Sequence, residues 1–184
     1  MNDVYQPSED TFLLMDVIKE VPYVRRALEV GSGSGAVSVN LAHKTDYLIA
    51  TDIDLNSCHA TLERLRKHNL RANTDVVCCD LLSAFRESSS FDLIVFNPPY
   101  LPDECLRDVS IFGGKHGVET SAEFLQQAHH ALSHSGSILL VVSSISDLGK
   151  LWAVASKLKL NHKILKSVKL FFEEISVVEF KKGV

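Results

Sequence analysis

Apolar residues occur in two patterns along the chain. Some form short continuous runs, and others recur every three or four residues. Runs of four to eight apolar residues bounded by turn residues are typical of buried strands. Seven strands are predicted, over 27–30, 47–51, 75–79, 91–96, 138–142, 164–172 and 175–180. The strands alternate with segments of helical spacing along almost the whole sequence.

Helices are predicted between the strands. Ser8, followed by Glu9 and Asp10, is typical of a helix N-cap with acidic residues in the first turn. Another helix is predicted where apolar residues recur at spacings of three, four and three, at Leu55, Cys58, Leu62 and Leu65. Three further helices are predicted over 36–43, 121–132 and 148–158, and a loop over 101–119.

This alternation predicts an α/β fold, a doubly wound and mostly parallel seven-stranded sheet with helices on both faces. Glu173 and Glu174 separate the last two strands and are too few for a crossover helix, so those strands should form a C-terminal antiparallel hairpin. The sequence has no linker, repeat or low-complexity tract. We expect one domain over residues 1–184.

Composition narrows the possible partners. The net charge is −4, so no general attraction to nucleic acid is expected. The one basic stretch, over 64–71, is interpreted as the solvated face of a helix. No apolar run approaches the roughly 18–20 residues that span a bilayer, and the N-terminus lacks signal-peptide features. The four cysteines form no CxxC pair, so we expect no metal site and a location in the cytoplasm or nucleus.

The glycine-rich loop over 31–35 lies between a predicted strand and helix, where doubly wound sheets bind nucleotide cofactors. Its spacing also fits the dinucleotide fingerprint. Glu29, just before the loop, would repel a pyrophosphate but suits the ammonium of a methionine moiety. Asp52 is placed to accept from ribose hydroxyls, and Asp80 from an adenine amino group, with Leu81 against the ring.

The segment Asn97-Pro98-Pro99-Tyr100 directly follows a buried strand. Two prolines fix the backbone and remove two donors, which leaves carbonyl groups available. The Asn97 side-chain oxygen and the Pro98 carbonyl can both accept from one NH2 group, and Tyr100 offers a flat apolar wall. The motif predicts methyl transfer from S-adenosylmethionine to a planar amide or amine nitrogen.

On these motifs the chain resembles the HemK-like protein glutamine N5-methyltransferases, in their short eukaryotic and archaeal branch. The resemblance covers nearly the whole chain, including the stretches 4–14, 29–35, 51–54, 97–100 and 113–119. It implies a class I S-adenosylmethionine-dependent methyltransferase of Rossmann-like fold. The implied substrate is the glutamine in the Gly-Gly-Gln loop of eukaryotic class I peptide release factor. The implied cofactor-site residues are Tyr5, Thr11, Glu29, Gly31, Gly33, Asp52, Asp80, Leu81 and Asn97.

A partner protein is also predicted. In the methyltransferase version of this sheet the third strand lies at an edge, and here the edge residues are Val76, Val77, Cys78 and Cys79. Edge strands usually carry a lysine, a proline or a bulge against unwanted pairing, and this run has none. The resemblance implies a small zinc-binding activator subunit. We therefore expect a heterodimer in which that subunit covers this edge.

Two other functions remain open at this stage. An amino-methyltransferase of adenine N6 or guanine N2 would share the Asn-Pro-Pro-aromatic motif, but it must extract a base and bind its strand, and the acidic chain shows no basic surface for that. A non-catalytic nucleotide-binding scaffold would need neither Asn97 nor the three acids. Histone lysine is a less suitable acceptor, because its ammonium must first lose a proton and the sequence shows no base for this.

Overall fold

The computed structural model describes residues 6–85, 91–101 and 113–183, which form one sheet covered by helices on both faces. The strands are β1 (Val24–Val30), β2 (Thr45–Asp52), β3 (Thr74–Cys78), β4 (Phe91–Phe96), β5 (Leu132–Ser143), β6 (Leu160–Lys169) and β7 (Glu174–Lys182). The helices are α1 (Glu9–Glu20), α2 (Ala36–Ala42), α3 (Leu55–Lys67), α4 (Glu119–Ala131) and α5 (Leu148–Lys157), with a short 3-10 helix at Arg71–Asn73.

The strand order is β3-β2-β1-β4-β5-β7-β6. The first five of these strands are parallel, and β7 runs antiparallel between β5 and β6. The predicted fold class and the C-terminal hairpin are therefore confirmed. The chain moves outward from β1 to β3 and then returns to place β4 on the other side of β1. Ligands of doubly wound sheets bind at such a switch point, beyond the carboxyl ends of the strands.

β4 is the fourth of the seven strands in the sheet, and both of its faces are apolar, as burial on both sides requires. Ile94 and Phe96 belong to the core under α4 and α5, whereas Leu93 and Val95 belong to the core under α1 and α2. All four side chains are at most 3% exposed. Truncating a core side chain of this size costs about 2–5 kcal/mol, so the strand that carries the functional motif is firmly fixed.

Several predicted boundaries were wrong where polar residues continue a strand or helix. β5 begins at Leu132 rather than at 138, and Leu132 pairs with Phe91 across a register shift in β4. β6 covers Leu160–Lys169, so the hairpin turn begins earlier than predicted. Ser8 occupies the N-cap position of α1, but its hydroxyl donates to Asp10 Oδ1 (2.7 Å) instead of capping the helix.

β3 is an edge strand, as predicted. It ends at Cys78, so Cys79 lies just beyond it, and it includes the exposed Asp75, whose carboxylate accepts a hydrogen bond from Tyr47. The edge is therefore charged at its start, while Val76 and Val77 are uncharged and half-buried. Across the described ranges, no helix combines the length and apolar character that crossing a membrane requires.

Candidate functional site

A cavity of about 1120 Å³ lies at the carboxyl ends of β1, β2, β3 and β4. It is large enough for a nucleotide-sized ligand together with a substrate side chain. The sequence-predicted residues that line it are Thr11, Glu29, Gly31, Gly33, Asp52, Asp80, Leu81, Asn97, Pro98, Pro99 and Tyr100. Tyr5 lies outside the described residues. The structure brings the other predicted residues together, and their individual roles remain predictions.

The glycine loop passes directly against neighbouring elements. Gly31 has a φ of +66°, and a Cβ built on it would lie 3.0 Å from the ring of Phe96. Gly35 has a φ of +75°, and its Cβ would lie 2.8 Å from the Thr61 backbone. A side chain at either position would combine a strained backbone with a steric clash.

Thr61 on α3 contacts the glycine loop over 31–35 through its side chain. Its buried hydroxyl lies 2.9 Å from Ser32 Oγ and 3.1 Å from the Gly33 carbonyl oxygen. The Ser32 N–H donates to the Thr51 carbonyl (2.9 Å), which ties the loop to β2 as well. No local sequence pattern indicates this role for Thr61, because it lies 29 residues from Ser32.

Glu29 at the end of β1 is a buried acid that lines the cavity, and only 3% of it is exposed. Burial raises the pKa of Glu29 to about 8, and the negative charge of Asp52 adds to this. The Ser38 hydroxyl donates to the Glu29 carboxylate and opposes the rise. Among the described residues, no cationic side chain contributes to the pKa of Glu29, so the carboxyl group is suited to receive a cation from a ligand.

Asp52 at the end of β2 contacts the glycine loop as well as the cavity. Its carboxylate accepts from the Gly33 N–H (2.8 Å) and the Asp54 N–H (2.9 Å). Burial raises the pKa of Asp52, although these N–H groups oppose the rise. Asp54 in turn caps α3 by accepting from the Ser57 N–H. Ile53 between them lines the cavity and is 65% exposed, which offers an apolar surface that the sequence analysis missed.

Asp80 and Leu81 follow β3 and reach the cavity from its side. Asp80 is exposed, whereas Leu81 is buried and has a φ of +44°. The Thr51 hydroxyl lies 3.3 Å from the Leu81 carbonyl oxygen, and this contact holds the unusual turn against β2. The pair therefore presents a carboxylate and an apolar wall to the same cavity.

Asn97 directly follows β4 and lines the cavity. Its Nδ2 lies 3.5 Å from Thr11 Oγ1, whereas its Oδ1 is buried without a hydrogen-bond partner among the described residues. An unsatisfied buried acceptor costs about 1–3 kcal/mol, and most buried polar atoms in native proteins avoid it. Because Asn97 also lines the cavity, rotation of its side-chain amide would offer this acceptor to a ligand.

The residues after Asn97 are held from two sides. The Tyr100 hydroxyl donates to the buried Asp10 of α1 (3.3 Å), and the Ser146 hydroxyl donates to the Tyr100 carbonyl (2.7 Å). A Cβ on Gly113 would lie 2.4 Å from the Pro99 carbonyl oxygen. The segment 113–118, which leads into α4, therefore packs directly against the Asn97–Tyr100 motif. Asp10 and Ser146 have no sequence signal for this role.

Glu119 at the start of α4 orders that loop. Its carboxylate accepts from the N–H groups of His116 (3.1 Å) and Val118 (3.2 Å). Burial acts to raise the pKa of Glu119, but these hydrogen bonds lower it below its ordinary value.

Among residues 6–85, 91–101 and 113–183, no group of three or more His, Cys, Asp or Glu is arranged to hold a metal ion.

Comparisons with known proteins identify the family to which this chain belongs. The methyltransferase small domain family matches residues 8–183. Human "Methyltransferase HEMK2" is 32% identical over 197 residues, which covers 99% of this chain and 91% of that protein. "Putative protein N5-glutamine methyltransferase MJ0928" of Methanocaldococcus jannaschii is 29% identical over 187 residues, covering 96% and 90% of the two chains.

Among solved structures, the Mtq2 chain of the E. cuniculi Mtq2-Trm112 complex is similar, with a TM-score of 0.79 and 26% identity. The match covers 98% of this chain and 99% of that one, and that complex methylates the translation termination factor eRF1. The family match spans most of the chain and the human relative matches nearly its whole length, so this chain belongs to the methyltransferase small domain family and, within it, to the HemK-like glutamine N5-methyltransferases, which are enzymes.

Proposed function

We propose that this enzyme transfers the methyl group of S-adenosylmethionine to the side-chain nitrogen of a glutamine in the Gly-Gly-Gln loop of a eukaryotic class I peptide release factor. The similarity to HEMK2 and to the E. cuniculi enzyme that acts on eRF1 supports this substrate. The unpartnered Asn97 Oδ1 is the single observation that carries the proposal, because an amide NH2 would satisfy it.

The cavity residues fit the proposed methyl donor. Glu29 is a buried carboxyl group suited to the ammonium of the methionine moiety. Asp52 keeps free lone pairs for ribose hydroxyls beside the two N–H groups it accepts from. Asp80, Leu81 and Ile53 would hold the adenine ring and its amino group. When bound, S-adenosylmethionine supplies an electrophilic methyl group on a sulfonium.

The chain's own residues orient the acceptor nitrogen. Asn97 Oδ1 and the Pro98 carbonyl would each accept one N–H of the glutamine amide, which fixes the direction of the nitrogen. Such preorganised acceptors contribute most when they fit the transition state better than the ground state. Tyr100 is held by Asp10 and Ser146, so it forms a rigid wall beside that nitrogen.

A transfer assay tests the proposal. With the chain co-expressed with a Trm112-like subunit, we expect incorporation of labelled methyl into recombinant eRF1, and none into an eRF1 variant in which the loop glutamine is replaced by alanine. Duplex DNA and tRNA should not be labelled. Labelling of nucleic acid in place of eRF1 would instead support the amino-methyltransferase alternative, and no labelling of either would contradict the proposal.

We also propose a heterodimer with a small zinc-binding subunit similar to Trm112. The E. cuniculi relative forms a complex with Trm112, and the uncharged Val76 and Val77 on the edge strand β3 offer a surface for it. Val77→Lys should abolish co-purification with that subunit. Ile164→Lys is the matched control, since Ile164 is exposed on the opposite edge strand, β6. The proposal is wrong if the lone chain is soluble, monomeric and fully active and Val77→Lys still co-purifies.

A further inference from the structure

Phe171 and Phe172 form an exposed aromatic pair at the turn between β6 and β7. They are 92% and 87% exposed, whereas no other large apolar side chain of the described residues exceeds 65%. Their rings meet edge to face, with centroids 4.7 Å apart. Exposing two adjacent phenylalanines contributes nothing to the core, and grouped exposed apolar side chains are typical of interaction sites.

The turn that carries the pair is fixed to the rest of the sheet. The Leu170 N–H donates to the Glu173 carbonyl (2.7 Å) and closes the turn. The Glu174 N–H donates to Ser144 Oγ (2.8 Å), and the Ser144 N–H donates to the Glu174 carbonyl (2.9 Å). The phenylalanines are therefore presented from a structured turn, which lowers the entropic cost of binding through them.

The turn also borders the candidate active site. Glu173, the residue directly after the pair, lines the large cavity and accepts a hydrogen bond from the Ser143 hydroxyl at the end of β5. A polypeptide whose glutamine enters that cavity must cross its rim, and Phe172 and Phe171 lie one and two residues before Glu173 in the sequence. Exposed Lys169 borders the pair on the β6 side.

We infer that Phe171 and Phe172 dock the protein substrate, by contacting an apolar patch that flanks the loop with the reactive glutamine. This inference rests on the proposed function, since it assigns the surface to the same polypeptide. Buried aromatic side chains dominate the energetics of many protein interfaces. The pair would thus let the enzyme select a folded protein over a short peptide with the same three-residue motif.

Steady-state kinetics with two substrates tests the inference. We prepare the complex with the Trm112-like subunit from either the wild-type chain or Phe171→Ser/Phe172→Ser, and we compare the two complexes on whole eRF1 and on a short peptide containing Gly-Gly-Gln. We expect KM for eRF1 to rise about tenfold or more, with kcat unchanged and with unchanged kinetics on the peptide. Phe171→Leu/Phe172→Leu keeps an apolar surface and should recover part of the lost affinity. Tyr23→Ser is the matched control, since Tyr23 is 63% exposed just before β1, at the amino end of the parallel strands.

Each other result has a distinct meaning. If wild-type protein labels eRF1 and the double serine variant has the same KM, the docking role is wrong. Equal losses on eRF1 and on the peptide would show a distorted rim and would also overturn it, as would a change in oligomeric state without a change in KM. If wild-type protein labels neither substrate, the proposed function fails and the docking role fails with it.

Discussion

Replacing Glu29 by glutamine should stabilise the free enzyme while weakening its binding of the methyl donor. Glu29 is 3% exposed, and burial raises its pKa from 4.5 to about 8. Glutamine has almost the same shape, stays neutral and can still accept from the Ser38 hydroxyl. The substitution therefore removes the titration of this site with little change in packing.

The size of the effect follows from the change in pKa. The folded protein holds a proton on Glu29 that the unfolded chain releases above pH 4.5, so stability is fully present below that pH and falls as the pH rises to about 8. At about 1.4 kcal/mol per pH unit, the loss reaches about 2 kcal/mol at pH 6 and about 4 kcal/mol at pH 8. Glu29→Gln does not titrate and does not show this loss. The difference in free energy of unfolding between the variant and the wild type should therefore grow by about 2 kcal/mol between pH 6 and pH 8.

Urea unfolding at pH 6, 7 and 8 without ligand measures this difference, because the other titrating groups are common to both proteins and cancel. Calorimetry with S-adenosylmethionine should show at least about a tenfold weaker Kd for Glu29→Gln, because the ammonium loses its counter-charge. A stability difference that does not depend on pH would refute the raised pKa. Unchanged donor affinity would refute the assignment of Glu29 to the ammonium.

Three further substitutions test separate parts of the site. Asn97→Ala should keep donor binding within a few-fold but slow methyl transfer about a hundredfold or more, a loss of about 2.7–4 kcal/mol in transition-state stabilisation; near-normal turnover on eRF1 would contradict this role. Asp52→Ala should weaken donor binding by about 1.5–3 kcal/mol in calorimetry, since it removes acceptors for the ribose and for the Gly33 N–H, and micromolar affinity for NAD in its place would overturn the cofactor assignment. Gly113→Ala should destabilise the protein by about 1–3 kcal/mol in thermal unfolding and lower kcat, because its Cβ would clash with the Pro99 and Gly117 carbonyl groups; a variant as stable and active as wild type would show that the loop does not support the motif.

The sequence predicted well those features that depend on strand ends. Apolar runs stop where Glu29, Asp52 and Asn97 begin to face the cavity, and parallel strands bring their carboxyl ends to one edge of the sheet. The carboxylates and the amide at these positions then indicate which ligand groups the cavity can bind. The strand order typical of this methyltransferase sheet predicted β3 at the edge, and the short connection at Glu173 and Glu174 predicted the antiparallel hairpin at the C-terminus.

The remaining features depend on contacts that no local pattern encodes. Ser38 reaches Glu29 across 9 positions, and Tyr100 reaches Asp10 across 90. The start of β5 was missed because residues 133–136 are polar or glycine, and they fall in the register shift between the Phe91–Leu132 and Leu93–Ser137 pairs. Nothing in the sequence alone shows that Phe171 and Phe172 are exposed rather than the end of a buried strand.

The residues on the two sides of the cavity come from different strands and also from different parts of the sequence. The carboxylates proposed to hold the methyl donor all precede residue 82, whereas Asn97, Tyr100 and Glu173 on the acceptor side all follow residue 96. One genetic crossover between β3 and β4 would therefore exchange the acceptor-side residues and leave in place the donor carboxylates, together with Asp10, which holds Tyr100. Selection can act on the two segments separately, so a descendant of this enzyme could acquire a new methyl acceptor without evolving donor binding again.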